Sequence, residues 1–207
     1  MKDGLFPIFC VLCKKEGTFL CEDCERHVIA DPKWQKKSKD IVGVYTLYSY
    51  KQPSIKILVE LFKYKQIEEL HTFFHKFLFQ HLSHKKELFL HYYYIVPVPL
   101  HKRRYNERGF NQAEYLAKSI ALALNKEYVP LLERKKYTKQ QVKMNREKRL
   151  RNLENAFVIN EEFGTLQGKN ILLVDDVYTT GATLEECAKV LHDAGANIVG
   201  GITFARG

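Results

Sequence analysis

No apolar run in the 207-residue sequence approaches the roughly 18 residues that a membrane-spanning helix needs. The opening residues, MKDGLFPIFCVLC, contain no long apolar stretch ending in a small-residue cleavage site, so no secretory signal is expected. The two common phosphate fingerprints, GxGxxG and GxxxxGKS/T, are absent. So are an internal repeat, a low-complexity tract and a clear helix-turn-helix. These absences predict a cytoplasmic protein whose anion chemistry rests on some other pattern.

The residues that are present suffice for one sizeable domain and a small appendage. Apolar residues make up 45%, enough for a packed core. Lys and Arg number 33 against 24 Asp and Glu, a net +9, but the excess is local. Residues 101–151 carry 15 basic and 5 acidic side chains, a net +10; the remainder carries 18 and 19, a net −1. Such a block implies an anionic partner, phosphates or nucleic acid, with a solvated surface as the plainer alternative.

Four of the five cysteines form two close pairs, Cys10-x2-Cys13 and Cys21-x2-Cys24. Each turn aims two thiolates at one point, and two turns complete a tetrahedron, the pattern of a structural zinc site with no open position. A redox role for one pair, a disulfide, and His27 in place of one cysteine are the alternatives. Cys187 stands alone in a predicted helix and reads as a small core residue.

Residues 28–40 read as a polar linker, and 41–50 as a β-branched and aromatic strand. Helical periodicity runs from Ile55 to about Leu82, with a break near Lys65. Short apolar strands are predicted at 92–98, 156–159, 170–174 and 198–204, and helices at 111–125 and 183–194. Residues 100–109 read as a basic loop. Residues 134–152, with nine basic side chains and one acid, read as an exposed, mobile loop. Strands alternating with helices predict an α/β fold with a mainly parallel sheet.

The richest chemistry lies in ILLVDDVYTTGAT, residues 171–183. A buried strand carries Asp175 and Asp176 to its carboxyl end, where ligands of open α/β sheets sit. A loop from Val177 to Ala182 then enters a helix. Thr179, Thr180 and Thr183 offer hydroxyls, Gly181 permits close backbone approach, and the N–H groups from Ala182 onward favour a phosphate. Two acids beside such a cradle repel an anion unless they meet hydroxyls or a cation. A ribose with bound Mg2+ supplies both.

This segment resembles the motif with which type I phosphoribosyltransferases bind 5-phosphoribosyl-1-pyrophosphate (PRPP). The resemblance implies that Asp175 and Asp176 face the ribose hydroxyls and that Thr179 to Thr183 hold the 5-phosphate. VPVPLHKRRYNERGFNQAEYLAK (96–118) and RKKYTKQQVKMNREKRLRNLENAF (134–157) follow the cysteine module and precede this motif. In this order the elements resemble the ComF family of competence proteins over nearly the whole chain. Met144 stands where that family usually has Leu.

The resemblance implies the type I phosphoribosyltransferase fold with an N-terminal zinc module. It divides the chain into residues 1–40, the module and its linker, and 41–207, with an accessory hood at 41–90 and a core at 91–207. The first basic segment matches the pyrophosphate loop, which implies that the backbone of Leu100, His101, Lys102 and Arg103 meets pyrophosphate. The second matches a closing loop, and Lys135, Lys136, Lys139 and Lys143 are candidate contacts to single-stranded DNA. The family role is uptake of single-stranded DNA during natural transformation. Its expected setting is the cytoplasm, at the inner face of the inner membrane, beside other competence proteins such as a DNA helicase. The alternative is an active phosphoribosyltransferase acting on a nitrogen acceptor such as a nucleobase. No general base is identifiable in the sequence.

Overall fold

The computed structural model describes residues 7–35, 37–64, 68–137 and 151–207. Its main sheet has six strands: β1 Lys33–Gln35, β2 Val44–Ser49, β3 Tyr94–Pro97, β4 Glu127–Tyr128, β7 Asn170–Tyr178 and β8 Ile198–Arg206, in the order β1-β2-β8-β7-β3-β4. All neighbours run parallel except β1, which pairs antiparallel with β2 at one edge. β5 Leu132–Arg134 and β6 Phe157–Ile159 form a separate antiparallel pair.

β2, the first part of β7, and β8 are apolar along nearly every residue because both faces are covered. On one face, Tyr45, Leu47, Leu172, Val174, Ile202 and Phe204 meet helices α2 Pro53–Tyr64, α3 Glu68–Leu82 and α5 Gln112–Leu124. On the other, Val44, Ile171, Leu173 and Val199 meet α6 Ala182–Asp193 and β6. A ladder of rings binds the first layer. Phe62 stacks on Phe74 at 4.2 Å, Phe74 meets Phe204 at 4.5 Å, and Phe204 meets Tyr48 at 4.8 Å. Burying one such ring contributes about 1.5–3 kcal/mol, so the ladder fixes α2 and α3 firmly on the sheet.

Three features depart from the sequence reading. Residues 102–108, expected as a loop, form helix α4 Lys102–Arg108. His101 caps it through Nδ1, Arg103 pairs with Glu107 one turn on, and Gly109 closes it at φ 79°. These long charged side chains are good helix formers, and their polarity concealed the helix. β7 runs on to Tyr178, because Val177 and Tyr178 continue the pairing with Ala205 and Arg206; the loop after it is therefore shorter than expected. The stretch read as a linker contributes β1. The mobile loop expected within 134–152 falls largely on residues 138–150, which lie outside the described residues. Among the described residues, no helix is long and apolar enough to cross a membrane.

Candidate functional site

Successive residues of a strand point to opposite faces, so the two acids near the end of β7 diverge. Asp176 turns towards α2, where its Oδ2 lies 3.4 Å from Lys63 Nζ; the two side chains are only 19% and 13% exposed. Asp175 turns to the other face, into the field of Arg134 on β5 and the buried Cys187 on α6. Its Oδ1 accepts the Asp176 N–H at 2.9 Å.

After β7 the chain passes through Thr179, Thr180 and Gly181 into α6. Gly181 sits at φ +81°, a conformation costly to any residue with a side chain, and an added Cβ would lie 3.0 Å from the Tyr178 hydroxyl. These residues, with Leu153, Asp175, Val177, Tyr178, Ala182, Thr183 and Leu184, enclose a cavity of about 40 Å³. The Glu185 N–H already bonds the Gly181 carbonyl at 2.9 Å. The Ala182 N–H meets the Thr180 hydroxyl at 3.5 Å, and the start of α6 faces the loop, the end of a helix that favours an anion.

Burial and then the Asp176 carboxylate push the Asp175 carboxyl up to about 7, against the pull of the Asp176 N–H, Lys63 and Arg134. A carboxyl raised on folding contributes stability that is whole below its unfolded value, near 3.8, and is lost as pH rises through about 7. Asp175→Asn is therefore expected to raise the melting temperature of the ligand-free protein at pH 8 by roughly 2–8 °C. The gain should shrink to nothing by about pH 4. Melting curves across that range check it, and a gain that grew on acidification would contradict it.

Lys102 and Arg103 lie in the first turn of α4, after Leu100 and the cap His101. The Arg103 guanidinium stacks 4.8 Å from the Tyr137 ring, and His101 meets the same ring edge-on at 5.2 Å. The first basic segment thus touches the start of the second. Lys135 and Lys136 are exposed near this junction, and both backbone N–H groups bond to the Ala156 carbonyl. Lys139 and Lys143 lie outside the described residues.

Sequence reasoning missed Lys63 and the role of Gln112. Gln112 is buried; its Nε2 donates to the carbonyls of Phe62 and Lys63 at 3.2 and 3.4 Å, and its Oε1 accepts from Arg108 at 3.0 Å. Lys63 reads in sequence as an ordinary basic residue in the last turn of an amphipathic helix. Only the packing of α2 on the sheet brings it to Asp176.

The sulfurs of Cys10, Cys13, Cys21 and Cys24 all lie within 4.8 Å of one another. Tetrahedral thiolates at zinc distances stand roughly 3.8 Å apart, so the cluster can close on one metal ion. Burial raises the Cys10 thiol, yet backbone bonds at Cys13, Cys21 and Leu12 outweigh it and bring it down to about 6; partial burial and the neighbouring sulfurs push Cys24 up to about 12. His27 instead bonds the Asp23 carbonyl through Nδ1.

Residues 111–207 match the family described as Phosphoribosyl transferase domain. The chain is 34% identical over 200 residues to "Competence protein ComFC" of Streptococcus pneumoniae, a span of 95% of this chain and 80% of that protein. It is 30% identical over 197 residues to "Competence protein F" of Haemophilus influenzae, a span of 92% and 80%. It is also 30% identical over 194 residues to "DNA utilization protein YhgH" of Escherichia coli, again 92% and 80%.

Proposed function

Because this chain belongs to the ComF family of competence proteins, we propose that it binds PRPP at the end of β7 and supports uptake of single-stranded DNA. The observation that carries the PRPP reading is the order of groups there: two acids, a threonine loop, Gly181 in the left-handed region, and the start of α6. In this reading Thr179, Thr180, Gly181, Ala182 and Thr183 hold the 5-phosphate. Asp175 and Asp176 flank the ribose from opposite faces of β7. Leu100, His101, Lys102 and Arg103 meet pyrophosphate, now from the start of a helix that His101 caps by accepting the Arg103 N–H. The donors at the strand end are carboxylate oxygens, which fit Mg2+ carried in with the sugar phosphate; bound there, Mg2+ neutralises phosphate charge. Zinc is our assignment for the four-cysteine cluster.

The DNA reading rests on the basic segments and the names of the relatives. Eight net charges within 134–152 attract a polyanion with little sequence preference. Affinity should fall steeply with salt, because each neutralised phosphate of a single strand releases about 0.7 of a counterion. Changing Lys135, Lys136, Lys139 and Lys143 to Glu should flatten that slope and cut DNA affinity, while PRPP binding survives at its separate cradle. Fluorescence titration of a labelled oligonucleotide across salt concentrations tests this. A variant that bound DNA like the parent would remove the loop as the DNA site. The enzyme reading would take its place if the variant kept DNA binding and lost pyrophosphate release in the presence of PRPP, Mg2+ and a nitrogen acceptor.

A further inference from the structure

Lys63 is not where a lysine ordinarily goes. It closes α2, and a basic residue there gains from the helix dipole while its ammonium stays in water. Here the side chain is 13% exposed and spans from α2 to the sheet, ending 3.4 Å from Asp176 Oδ2. Withdrawing both charges from water is costly, so the pair persists only where its geometry is held. It is held. Phe62, the preceding residue, is locked in the ring ladder, and the carbonyls of Phe62 and Lys63 are fixed by Gln112.

The position matters because the acids adjoin a phosphate cradle. An anionic sugar phosphate entering that end of β7 is repelled by each carboxylate that lacks a counter-charge. A divalent ion is one source of that charge. From these contacts we infer that Lys63 is a built-in counter-cation, which neutralises Asp176 and lets this site accept a sugar phosphate with reduced dependence on a divalent ion. The inference rests on the PRPP reading and adds a specificity-determining residue to it. It also links α2 to the ligand, since that helix delivers the cation.

The test is PRPP affinity by calorimetry for the full chain and for Lys63→Met, each in millimolar Mg2+ and in EDTA. Removing Mg2+ should cost the parent less than about tenfold and Lys63→Met on the order of a hundredfold, with millimolar Mg2+ restoring the variant to within about threefold of the parent. Lys63→Arg should behave as the parent, which separates charge from fold. In an Asp176→Asn background the Lys63→Met effect should largely vanish, because the carboxylate that Lys63 pairs with is gone. Equal losses with and without Mg2+ would overturn the inference alone, leaving Lys63 a structural anchor. A parent protein that bound no PRPP even with Mg2+ would overturn the PRPP reading and this inference together.

Discussion

Replacing Asp175 and Asp176 together with Asn is expected to lower PRPP affinity at least tenfold, about 1.4 kcal/mol. The substitution keeps side-chain shape and removes both charges. A ribose hydroxyl donates more strongly to a carboxylate than to an amide, and a hard divalent ion loses its oxyanion ligands outright. Loss of the Asp175 charge should not weaken the fold, since its carboxyl is raised to about 7 and its ionisation above that pH works against the folded state, whereas Asp176→Asn leaves the largely buried Lys63 without its counter-charge and should lower the melting temperature. Reduced binding by the Asp175→Asn single variant with an unchanged or higher melting temperature is thus the signature of a site residue. Isothermal titration with Mg2+ present decides it; undiminished affinity would remove the site from the end of β7.

The second large effect concerns the cysteine cluster. Protein purified without chelator should carry about one zinc per chain, and Cys21→Ser should release it. Apparent zinc-binding free energies in small cysteine modules reach about 10–16 kcal/mol at neutral pH and act as folding free energy. Residues 7–28 have little regular structure: among the described residues, one four-residue helix, α1 Glu22–Glu25, and one bridge between Phe9 and Glu16. Hydrogen exchange should therefore quicken first in this segment. It should then spread to β2 and α3, because Cys10, Leu20 and Cys21 belong to the same buried cluster as Tyr48 and Phe77, and Glu25 pairs with Lys76 of α3. The central strands β7 and β3 should stay protected. Elemental analysis that found no zinc, or exchange unaltered by Cys21→Ser, would refute the assignment.

The legible parts of this fold were those whose physics is local. The apolar runs of β3, β7 and β8, the helical periodicity of α2, α3 and α5, and the break between α2 and α3 all followed from residue order. The thiolate cluster followed from the spacing of the CxxC pairs. The sequence was less informative where polarity and structure part company. α4 carries almost nothing to bury, so no periodic signal betrays it, although its propensities and caps favour a helix. The extension of β7 depends on a partner strand, and β1 needs β2 to exist at all. Lys63 shows the limit most clearly. Nothing within α2 distinguishes it from other terminal lysines, and its meaning arises only when a ring ladder drawn from two helices and two strands sets it against β7.

Helix ends ordinarily depend on the residues that follow them to satisfy the last carbonyls. At α2 the carbonyls of Phe62 and Lys63 are instead taken by Gln112, a side chain from another helix, braced in turn by Arg108. The last turn of α2 is thereby tied to α5 as well as to the sheet. A change at Gln112 would therefore reach the Lys63 ammonium through the helix end that carries it, without touching the ion pair itself.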